Sequence, residues 1–171
     1  MTFKISFDGL KYIMGKEKFM PKWYLCPAGV KTIGYGHAFK SGDIYTMLSE
    51  IEAETLLMKD LGPFETGLNL LNLSFGQNEF DASTSFVFNL GLSRFTTSKT
   101  AISISDLIKQ NKKADALRKW ATYDKIKVIE NGIEVRKPLR GLTLRRREEI
   151  LTFNKDQSVL STDEIYAMTQ C

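Results

Sequence analysis

Four side chains suited to acid–base or nucleophilic chemistry occur within residues 17–37: Glu17, Cys26, Thr32 and the only histidine, His37. Cleavage of a glycosidic bond requires a proton donor for the leaving oxygen and a second group that supplies or positions a nucleophile. A glutamate packed among aromatic side chains can have a raised pKa and act as that donor. A single glutamate near aromatic side chains is more commonly a surface residue. Its assignment as a proton donor therefore depends on its position and on its spacing from the other reactive residues.

The elements predicted around these residues are a short helix followed by a β-rich unit. Ser6 can cap a helix whose apolar residues share one face. This helix is predicted to end near residues 15–16, which places Glu17 in its last turn or just beyond it. Prolines and glycines then exclude helix, and the alternation in "VKTIGYG" favours a strand or hairpin. Residues 18–40 are therefore predicted to form a small β-rich unit.

The middle of the chain is predicted to be helical. The segment "SEIEAETLLMKDLG" opens with a capping box of Ser49 and Glu52. It is predicted to end at Gly62, with Pro63 in the first turn of a further helix. The strongly apolar "QNEFDASTSFVFNLG" is predicted to be a helix closed by Gly91.

The last third of the chain predicts more helices and one hairpin. The segment "SDLIKQNKKADALRKW" predicts one or two helices that end near Trp120. A hairpin with Asn131-Gly132 as its turn is predicted for "IKVIENGIEV". A basic helix is predicted in "TLRRREEILTF", and Ser161 with Glu164 predicts a short capped helix in the tail.

These elements predict one α+β domain that spans residues 1–171. A small β-containing N-terminal lobe, about 1–62, is expected to be joined by a helix to a larger helical C-terminal lobe, 63–153. Residues 154–171 form a tail.

The spacing of the reactive side chains resembles that of the phage-type lysozyme family, the endolysins or muramidases. That family has a Glu, eight residues, an Asp or Cys, five residues and a Thr, which Glu17, Cys26 and Thr32 match without a gap. Its Tyr falls on Tyr24, and its Thr-Ile-Gly-x-Gly-His is similar to "TIGYGH", which ends at His37.

Further matches to this family run in order across roughly residues 5 to 153. "NEFDA" and "FNLG" resemble the family's helix that faces the sugar, with Asn89 and Gly91 at its end. "RF" and Ser98 follow as in the family. "GLTLRRREE" matches Gly-Leu-x-x-Arg-Arg-x-x-Glu and places Arg145 on the closing helix.

The resemblance implies a lysozyme-like fold and a glycoside hydrolase. The implied reaction is cleavage of the β-1,4 bond between N-acetylmuramic acid and N-acetylglucosamine in peptidoglycan. Glu17 is then the proton donor, and Thr32 orients the attacking water. Cys26 stands where many members have Asp. Since a thiol of ordinary pKa, about 8.5, is mostly protonated near neutrality, Cys26 is either a nucleophile, a base or a group that positions water. An inverting and a retaining reaction both stay open.

The resemblance implies supporting roles for four further residues. His37 is expected to fix a turn by hydrogen bonding. Asn89 is expected to contact an N-acetyl or hydroxyl group of the sugar, and Gly91, two residues further on, is expected to support this site. Arg145 is expected to pair with Glu17 across the lobes and to hold its orientation. The alternative interpretation of the three consecutive arginines is a solvated basic face, with which Arg146 or Arg147 is compatible.

The chain departs from the family pattern at two places. Lys18 occupies the position directly after the acid, where the family usually has Gly. An ammonium group near Glu17 would favour the ionised carboxylate, which is unfavourable for a proton donor. The hairpin at 125–137 is also longer than the family's usual connection.

Charge and composition limit the partners and the cofactors. Residues 1–98 carry nine basic and ten acidic side chains, and residues 99–171 carry fifteen and ten, so the excess positive charge lies in the second part. A basic lobe suits a polyanion such as a bacterial wall polymer, an anionic lipid surface or nucleic acid. Two distant cysteines, Cys26 and Cys171, fit neither a disulfide framework nor a zinc site, so no cofactor or metal is expected.

Localisation and assembly are expected from the same reasoning. The sequence shows neither a secretory signal nor an apolar run of the ~18–20 residues that a membrane span needs. We therefore expect a protein that is made in the cytoplasm, without stable membrane insertion. We also expect it to be a monomer. It would reach bacterial peptidoglycan by holin-dependent release if it is a phage endolysin; a bacterial effector with the same domain is equally compatible.

Two other functions compete with the enzyme. A cell-wall-binding module of the same fold that has lost turnover is supported by Lys18 and Cys26, and opposed by the intact Glu17, Thr32 and Arg145. A nucleic-acid binder is suggested only by the basic segment "KQNKKADALRK", without any base-reading motif, so no nucleic-acid partner is expected.

Overall fold

The computed structural model describes residues 2–26, 29–98 and 102–170, and contains eight helices and five strands within them. The helices are α1 (Phe7–Glu17), α2 (Glu50–Leu70), α3 (Gln77–Leu90), α4 (Leu92–Thr96), α5 (Ile104–Lys109), α6 (Lys113–Ala121), α7 (Arg140–Asn154) and α8 (Thr162–Met168). The strands are β1 (Met20–Leu25), β2 (Lys31–Gly34), β3 (His37–Ala38), β4 (Lys125–Glu130) and β5 (Ile133–Pro138). Cys171 lies outside the described residues. None of the described helices is both long and apolar enough to cross a membrane.

The N-terminal part consists of α1 and a small antiparallel sheet in the order β1-β2-β3. As predicted, α1 begins after Ser6, whose hydroxyl accepts a hydrogen bond from the backbone N–H of Gly9 at 3.1 Å. The helix ends at Glu17, in agreement with the sequence prediction. In the sheet, Tyr24 lies opposite Thr32 and Ile33 lies opposite His37, so the predicted β-rich unit is present.

The predicted helix break at Gly62 and Pro63 is wrong. α2 runs without interruption from Glu50 to Leu70, and Pro63 lies inside it. A proline inside a helix removes one hydrogen bond, but burial on both sides of Pro63 offsets that loss. Leu61 and Leu68 are each at most 1% exposed and belong to different hydrophobic clusters. The helix therefore continues because each half of it is needed in a separate core.

Two hydrophobic clusters form the interior. The smaller cluster joins α1, the sheet and the first half of α2, with Ile13 and Ile33 fully buried. The larger cluster is helical and surrounds α3, with Phe86 and Trp120 fully buried. The architecture is α+β, as predicted: a small β-containing lobe is joined by α2 to a larger helical body.

The described part of the tail packs against this helical body. Leu160 and Ile165 are buried in the larger cluster. Arg147 donates hydrogen bonds to the hydroxyl and carbonyl oxygens of Thr169 and lies 4.5 Å from the centre of the Tyr166 ring. The interpretation of Arg147 as only a solvated residue is therefore wrong, because it fastens the tail to α7.

The hairpin of β4 and β5 is present as predicted, with a turn at Asn131-Gly132. Its base is held by two hydrogen bonds that Asp124 accepts. The backbone N–H of Leu139 donates to the Asp124 carbonyl at 2.9 Å, and the Thr143 hydroxyl donates to the Asp124 carboxylate at 2.9 Å. Beyond this base the strands pair with each other, and most of their side chains are exposed.

Candidate active site

Glu17 and Arg145 form the predicted ion pair between the first and the seventh helix. Arg145 Nη1 donates to Glu17 Oε1 at 2.8 Å. The side chain of Arg145 is 8% exposed and that of Glu17 is 24% exposed, so the carboxylate is the more accessible partner. The pair is 128 residues apart in the sequence, and it joins the two lobes at the carboxylate.

The second carboxylate oxygen of Glu17 lies beside Gly36. A methyl group on the Gly36 α-carbon would lie 3.7 Å from Glu17 Oε2, and Gly36 has a φ of +88°. Glycine adopts this left-handed region readily, whereas other residues rarely do. The turn between β2 and β3 can therefore approach the carboxylate without placing a side chain over it.

Lys18 adopts a backbone conformation that favours glycine. Its φ is +48° and its ψ is 116°, at the residue that ends α1. The family pattern has Gly at this position, and the backbone explains that preference because a Cβ is strained there. The lysine side chain is exposed.

A fully buried carboxylate, Glu149, holds Arg145 in place. Its Oε1 accepts hydrogen bonds from Arg145 Nε at 3.2 Å and from the Ser85 hydroxyl at 2.7 Å. Its Oε2 accepts a hydrogen bond from Trp120 Nε1 at 3.0 Å. Arg145 is thus fixed on one side by Glu149 and presents Nη1 to Glu17 on the other.

Arg146 is fully buried, so its interpretation as part of a solvated basic face is wrong. Its Nη2 donates to Glu149 Oε1 at 2.9 Å and to Asn89 Oδ1 at 3.0 Å. Its Nε lies 2.8 Å from Glu149 Oε2, although without the alignment of a hydrogen bond. The guanidinium also lies 5.0 Å from the centre of the Phe86 ring. Burial lowers the pKa of Arg146, and the Glu149 carboxylate opposes that shift.

Asn89 and Gly91 lie at the end of α3, where the sequence predicted them. Gly91 ends the helix with a φ of +85°. The Asn89 side-chain oxygen is engaged with Arg146, which connects Asn89 to the buried charges around Glu149. A sugar contact by Asn89 stays a prediction.

Cys26 and Thr32 lie on one hairpin, formed by β1 and β2. The backbone N–H of Cys26 donates to the Val30 carbonyl at 2.9 Å, which continues the pairing of Tyr24 with Thr32. Because side chains alternate along paired strands, Tyr24, Cys26, Val30 and Thr32 fall on the same face. Cys26 is half-buried, and Thr32 is 6% exposed.

His37 lies between two carboxylates, those of Asp60 and Asp43. Nδ1 lies 2.7 Å from Asp60 Oδ2, and Nε2 lies 2.9 Å from Asp43 Oδ2. Both ring nitrogens therefore have a carboxylate oxygen within hydrogen-bond distance. His37 links the sheet to α2 through Asp60 and to the following loop through Asp43, which agrees with the expected turn-fixing role.

Two tyrosines near the site have raised pKa values. Burial raises the pKa of Tyr12, and the carboxylates of Glu149 and Glu148 add to the shift. The Tyr12 hydroxyl donates to the Arg145 carbonyl at 3.3 Å and so connects α1 to α7. Burial, together with a hydrogen bond of 2.9 Å to Glu50, raises the pKa of Tyr35 to about 12.

The contacts of Ser85, Trp120 and Glu149 around Arg145 were not predicted from the sequence. Glu149 follows Arg145 by four residues and Arg146 by three, a spacing that permits ion pairs on one helix face. That spacing was readable from the sequence, but the burial of the face was not. Within the part of the chain that the structure describes, no group of three or more His, Cys, Asp or Glu side chains could hold a metal ion.

The fold and the Glu17–Arg145 pair between its lobes define a lysozyme-like glycoside hydrolase. Comparison with known proteins agrees with this class, since the phage lysozyme family matches residues 15–149. An endolysin of Acyrthosiphon pisum secondary endosymbiont phage 1 is 36% identical over 155 residues, which cover 87% of this chain and 97% of that protein. An endolysin of Bacillus phage PZA is 31% identical over 150 residues, and the match covers 87% of this chain but only 51% of that protein. The chain belongs to the phage lysozyme family.

Solved structures show the same relationship. The muramidase domain of SpmX from Asticaccaulis excentricus superposes with a TM-score of 0.74 at 29% identity, covering 88% of this chain and 97% of that domain. The endolysin from Escherichia coli O157:H7 phage FAHEc1 superposes with a TM-score of 0.75 at 26% identity, covering 94% of this chain and 98% of that chain.

Proposed function

We propose that this enzyme hydrolyses the β-1,4 bond between N-acetylmuramic acid and N-acetylglucosamine in peptidoglycan. Glu17 protonates the leaving oxygen, and Cys26 and Thr32 position the water that attacks the sugar. The proposal takes the enzyme to be a monomer, and includes holin-dependent release to the wall if the protein is a phage endolysin.

The observation that carries the proposal is the contact between Glu17 and Arg145. Arg145 holds Oε1 of the carboxylate in a fixed orientation, which leaves Oε2 available to the leaving oxygen of the substrate. Gly36 places no side chain over that oxygen. A proton donor needs a fixed orientation and access to the leaving group, and this arrangement supports both.

The geometry of Thr32 supports a role as acceptor toward the attacking water. The Thr32 hydroxyl donates its proton to the Val30 carbonyl at 3.0 Å. A hydroxyl that donates in this way keeps its lone pairs for an incoming hydrogen bond. It can therefore orient a water molecule by accepting one O–H. Thr32→Ser should keep this function, and Thr32→Val should lose it.

The role of Cys26 is separable by substitution. Cys26→Asp places the carboxylate that many relatives have at this position and should retain lysis. Cys26→Ala removes the polar atom and should lose most of the lysis. Full activity of the alanine variant would show that the thiol is not needed, and Thr32 alone would then position the water.

The proposal is tested by the clearing of purified bacterial cell walls. Wild-type protein should reduce the turbidity, and Glu17→Gln should abolish this reduction without unfolding the protein. Glu54→Gln on α2 is the matched control, since it removes the same charge outside this group of contacts. Equal, negligible lysis by wild type and Glu17→Gln, with wall binding retained, would instead identify a wall-binding module that has lost turnover.

A further inference from the structure

A basic groove lies on the helical lobe between α4, α6 and the hairpin of β4 and β5. Its volume is about 930 Å³. Five cationic side chains line it: Arg94 from α4, Lys119 from α6, Lys125 and Lys127 from β4, and Arg136 from β5. No carboxylate side chain lines the groove among the described residues. We call this feature the basic groove.

The register of the hairpin places three of its four cations on one face, while the fourth, Lys137, pairs with Ile126 on the other face. Lys127 pairs with Arg136, and Lys125 pairs with Pro138, so these side chains share one face of the two strands. Val128 and Val135 pair on the other face. The face that carries Lys125, Lys127 and Arg136 borders the groove, and Glu134, opposite Ile129, lies on that same face. The hairpin forms one wall of the groove. This position accounts for its length, which the catalytic site does not explain.

Most of this positive charge is not neutralised within the protein. Of the five groove cations, Lys127 alone has a carboxylate partner among the described residues, Glu134 at 2.9 Å, and both side chains are more than half exposed. Lys119 Nζ is bound by two neutral oxygens, the Ser98 hydroxyl at 3.0 Å and the Ile102 carbonyl at 2.7 Å. Among the described residues, Arg94, Lys125 and Arg136 have no carboxylate within ion-pair distance. Like charges that converge in a concave site repel each other, and an anionic ligand relieves that repulsion.

The other lining groups indicate what kind of anion fits. Hydroxyl groups from Ser93, Thr97 and Thr122 lie among the cations and suit a hydroxylated ligand. The one aromatic side chain in the lining, Tyr123, packs its ring against Phe86 with the centres 5.4 Å apart. Single-stranded nucleic acid is usually bound by a series of exposed aromatic side chains on which bases stack. The basic groove lacks such a series, which favours a polymer of phosphates and hydroxyls over one of phosphates and bases.

We propose that the basic groove binds a phosphodiester-linked polyol polymer of the bacterial cell wall. The binding is electrostatic, through Lys125, Lys127 and Arg136 on one wall and Arg94 and Lys119 on the other. It would retain the enzyme on its insoluble substrate independently of the contacts around Glu17. The choice of a wall polymer, rather than another phosphodiester, rests on the proposed function.

The test measures cosedimentation with two preparations of one wall. One preparation keeps its phosphodiester polymer, and the other has been stripped of it with hydrofluoric acid. All proteins carry Glu17→Gln so that the walls stay intact. The groove variant is Lys125→Gln/Lys127→Gln/Arg136→Gln. Its matched control is Lys59→Gln/Lys109→Gln/Lys112→Gln, which loses the same charge from exposed positions outside the groove.

The groove variant should bind polymer-bearing walls roughly tenfold more weakly than the control variant, with a weaker dependence on salt. On stripped walls the two variants should bind equally. Soluble polyglycerol phosphate should displace the protein with the intact groove. Thermal unfolding of both variants confirms folding, which the exposed positions of the substitutions should preserve.

Three results would overturn the proposal. Equal weakening of both variants would show a general charge effect, and equal weakening on stripped walls would identify peptidoglycan itself as the ligand. Displacement by oligo-dT or by phosphatidylglycerol vesicles at lower phosphate concentration than polyglycerol phosphate would assign the groove to another source of phosphate. Lysis of stripped walls by the wild-type protein is scored separately, so failure of the proposed catalytic function is distinguishable from failure of the groove.

Discussion

Replacement of Glu149 by glutamine should destabilise the protein strongly. Glu149 is 0% exposed and receives hydrogen bonds from Arg145, Arg146, Ser85 and Trp120. Together with Glu17, the cluster contains two carboxylates and two guanidinium groups, so its formal charge is zero. Glutamine keeps the shape but leaves two buried guanidinium groups with one carboxylate.

The magnitude follows from the burial of Arg146. Its side chain is 0% exposed, and Glu149 is the carboxylate within ion-pair distance of it. Removal of one partner from a buried ion pair costs about 3–5 kcal/mol, because the remaining charge is left without compensation. With a urea m-value of ~1–3 kcal/mol/M, the unfolding midpoint should fall by at least about 1 M. Arg145 also loses its support, so lysis should decrease.

The matched control is Asp115→Asn. Asp115 pairs with Arg118 at 3.0 Å, but both side chains are more than half exposed. Such a surface pair contributes about 0–1 kcal/mol. Equilibrium unfolding in urea compares the two variants with wild type. If Glu149→Gln changes the free energy of unfolding no more than Asp115→Asn does, the buried cluster does not have the energetic role assigned to it.

Three further predictions concern stability. Lys18→Gly should raise the free energy of unfolding by about 1 kcal/mol, because glycine relieves the strain of a φ of +48°; thermal unfolding measures it. Asp43→Asn should lower the melting temperature at neutral pH but not in strong acid. The backbone N–H of Lys40, followed by His37, lowers the pKa of Asp43 below its ordinary 3.8, so its contribution is present above that value and is lost as the pH falls through the folded pKa. Tyr35→Phe should reduce the loss of stability between about pH 10 and 12, because wild-type Tyr35 ionises more readily when unfolded and its pKa is raised to about 12 in the fold.

Each of these has a result that would contradict it. Lys18→Ala keeps a Cβ and should not reproduce the gain, so equal stabilisation by alanine would remove backbone strain as the cause. An effect of Asp43→Asn that persists in strong acid would show that charge is not involved. If Tyr35→Phe loses as much stability at high pH as the wild-type protein does, groups other than Tyr35 cause that loss.

Local signals predicted most of the secondary structure. Ser6, Ser49 and Ser161 were identified as N-caps because their side chains satisfy N–H groups that a helix leaves unpaired, and the structure contains all three caps. Asn131-Gly132 predicted the hairpin because both residues tolerate a positive φ, which they have. These features depend on a few neighbouring residues, so the sequence was sufficient.

Features that depend on tertiary burial were not predictable in the same way. From the sequence alone, Pro63 predicts a helix boundary. α2 stays continuous because residues on either side of Pro63 are buried in two separate hydrophobic clusters. In the sequence, Arg146 is the middle of three consecutive arginines, a pattern typical of an exposed surface. The packing of α7 against α3 buries it. The pairing of Glu17 with Arg145 was predicted from the family resemblance, since no local pattern joins residues 128 positions apart.

The central claim is that Glu17 acts as the proton donor in cleavage after N-acetylmuramic acid. The most direct measurement digests purified peptidoglycan, reduces the new sugar ends with borohydride and identifies them by mass spectrometry. Wild-type protein should yield muramitol ends, and Glu17→Gln should yield none. Glucosaminitol ends, free peptides without new sugar ends, or equal amounts of muramitol from both proteins would contradict the claim.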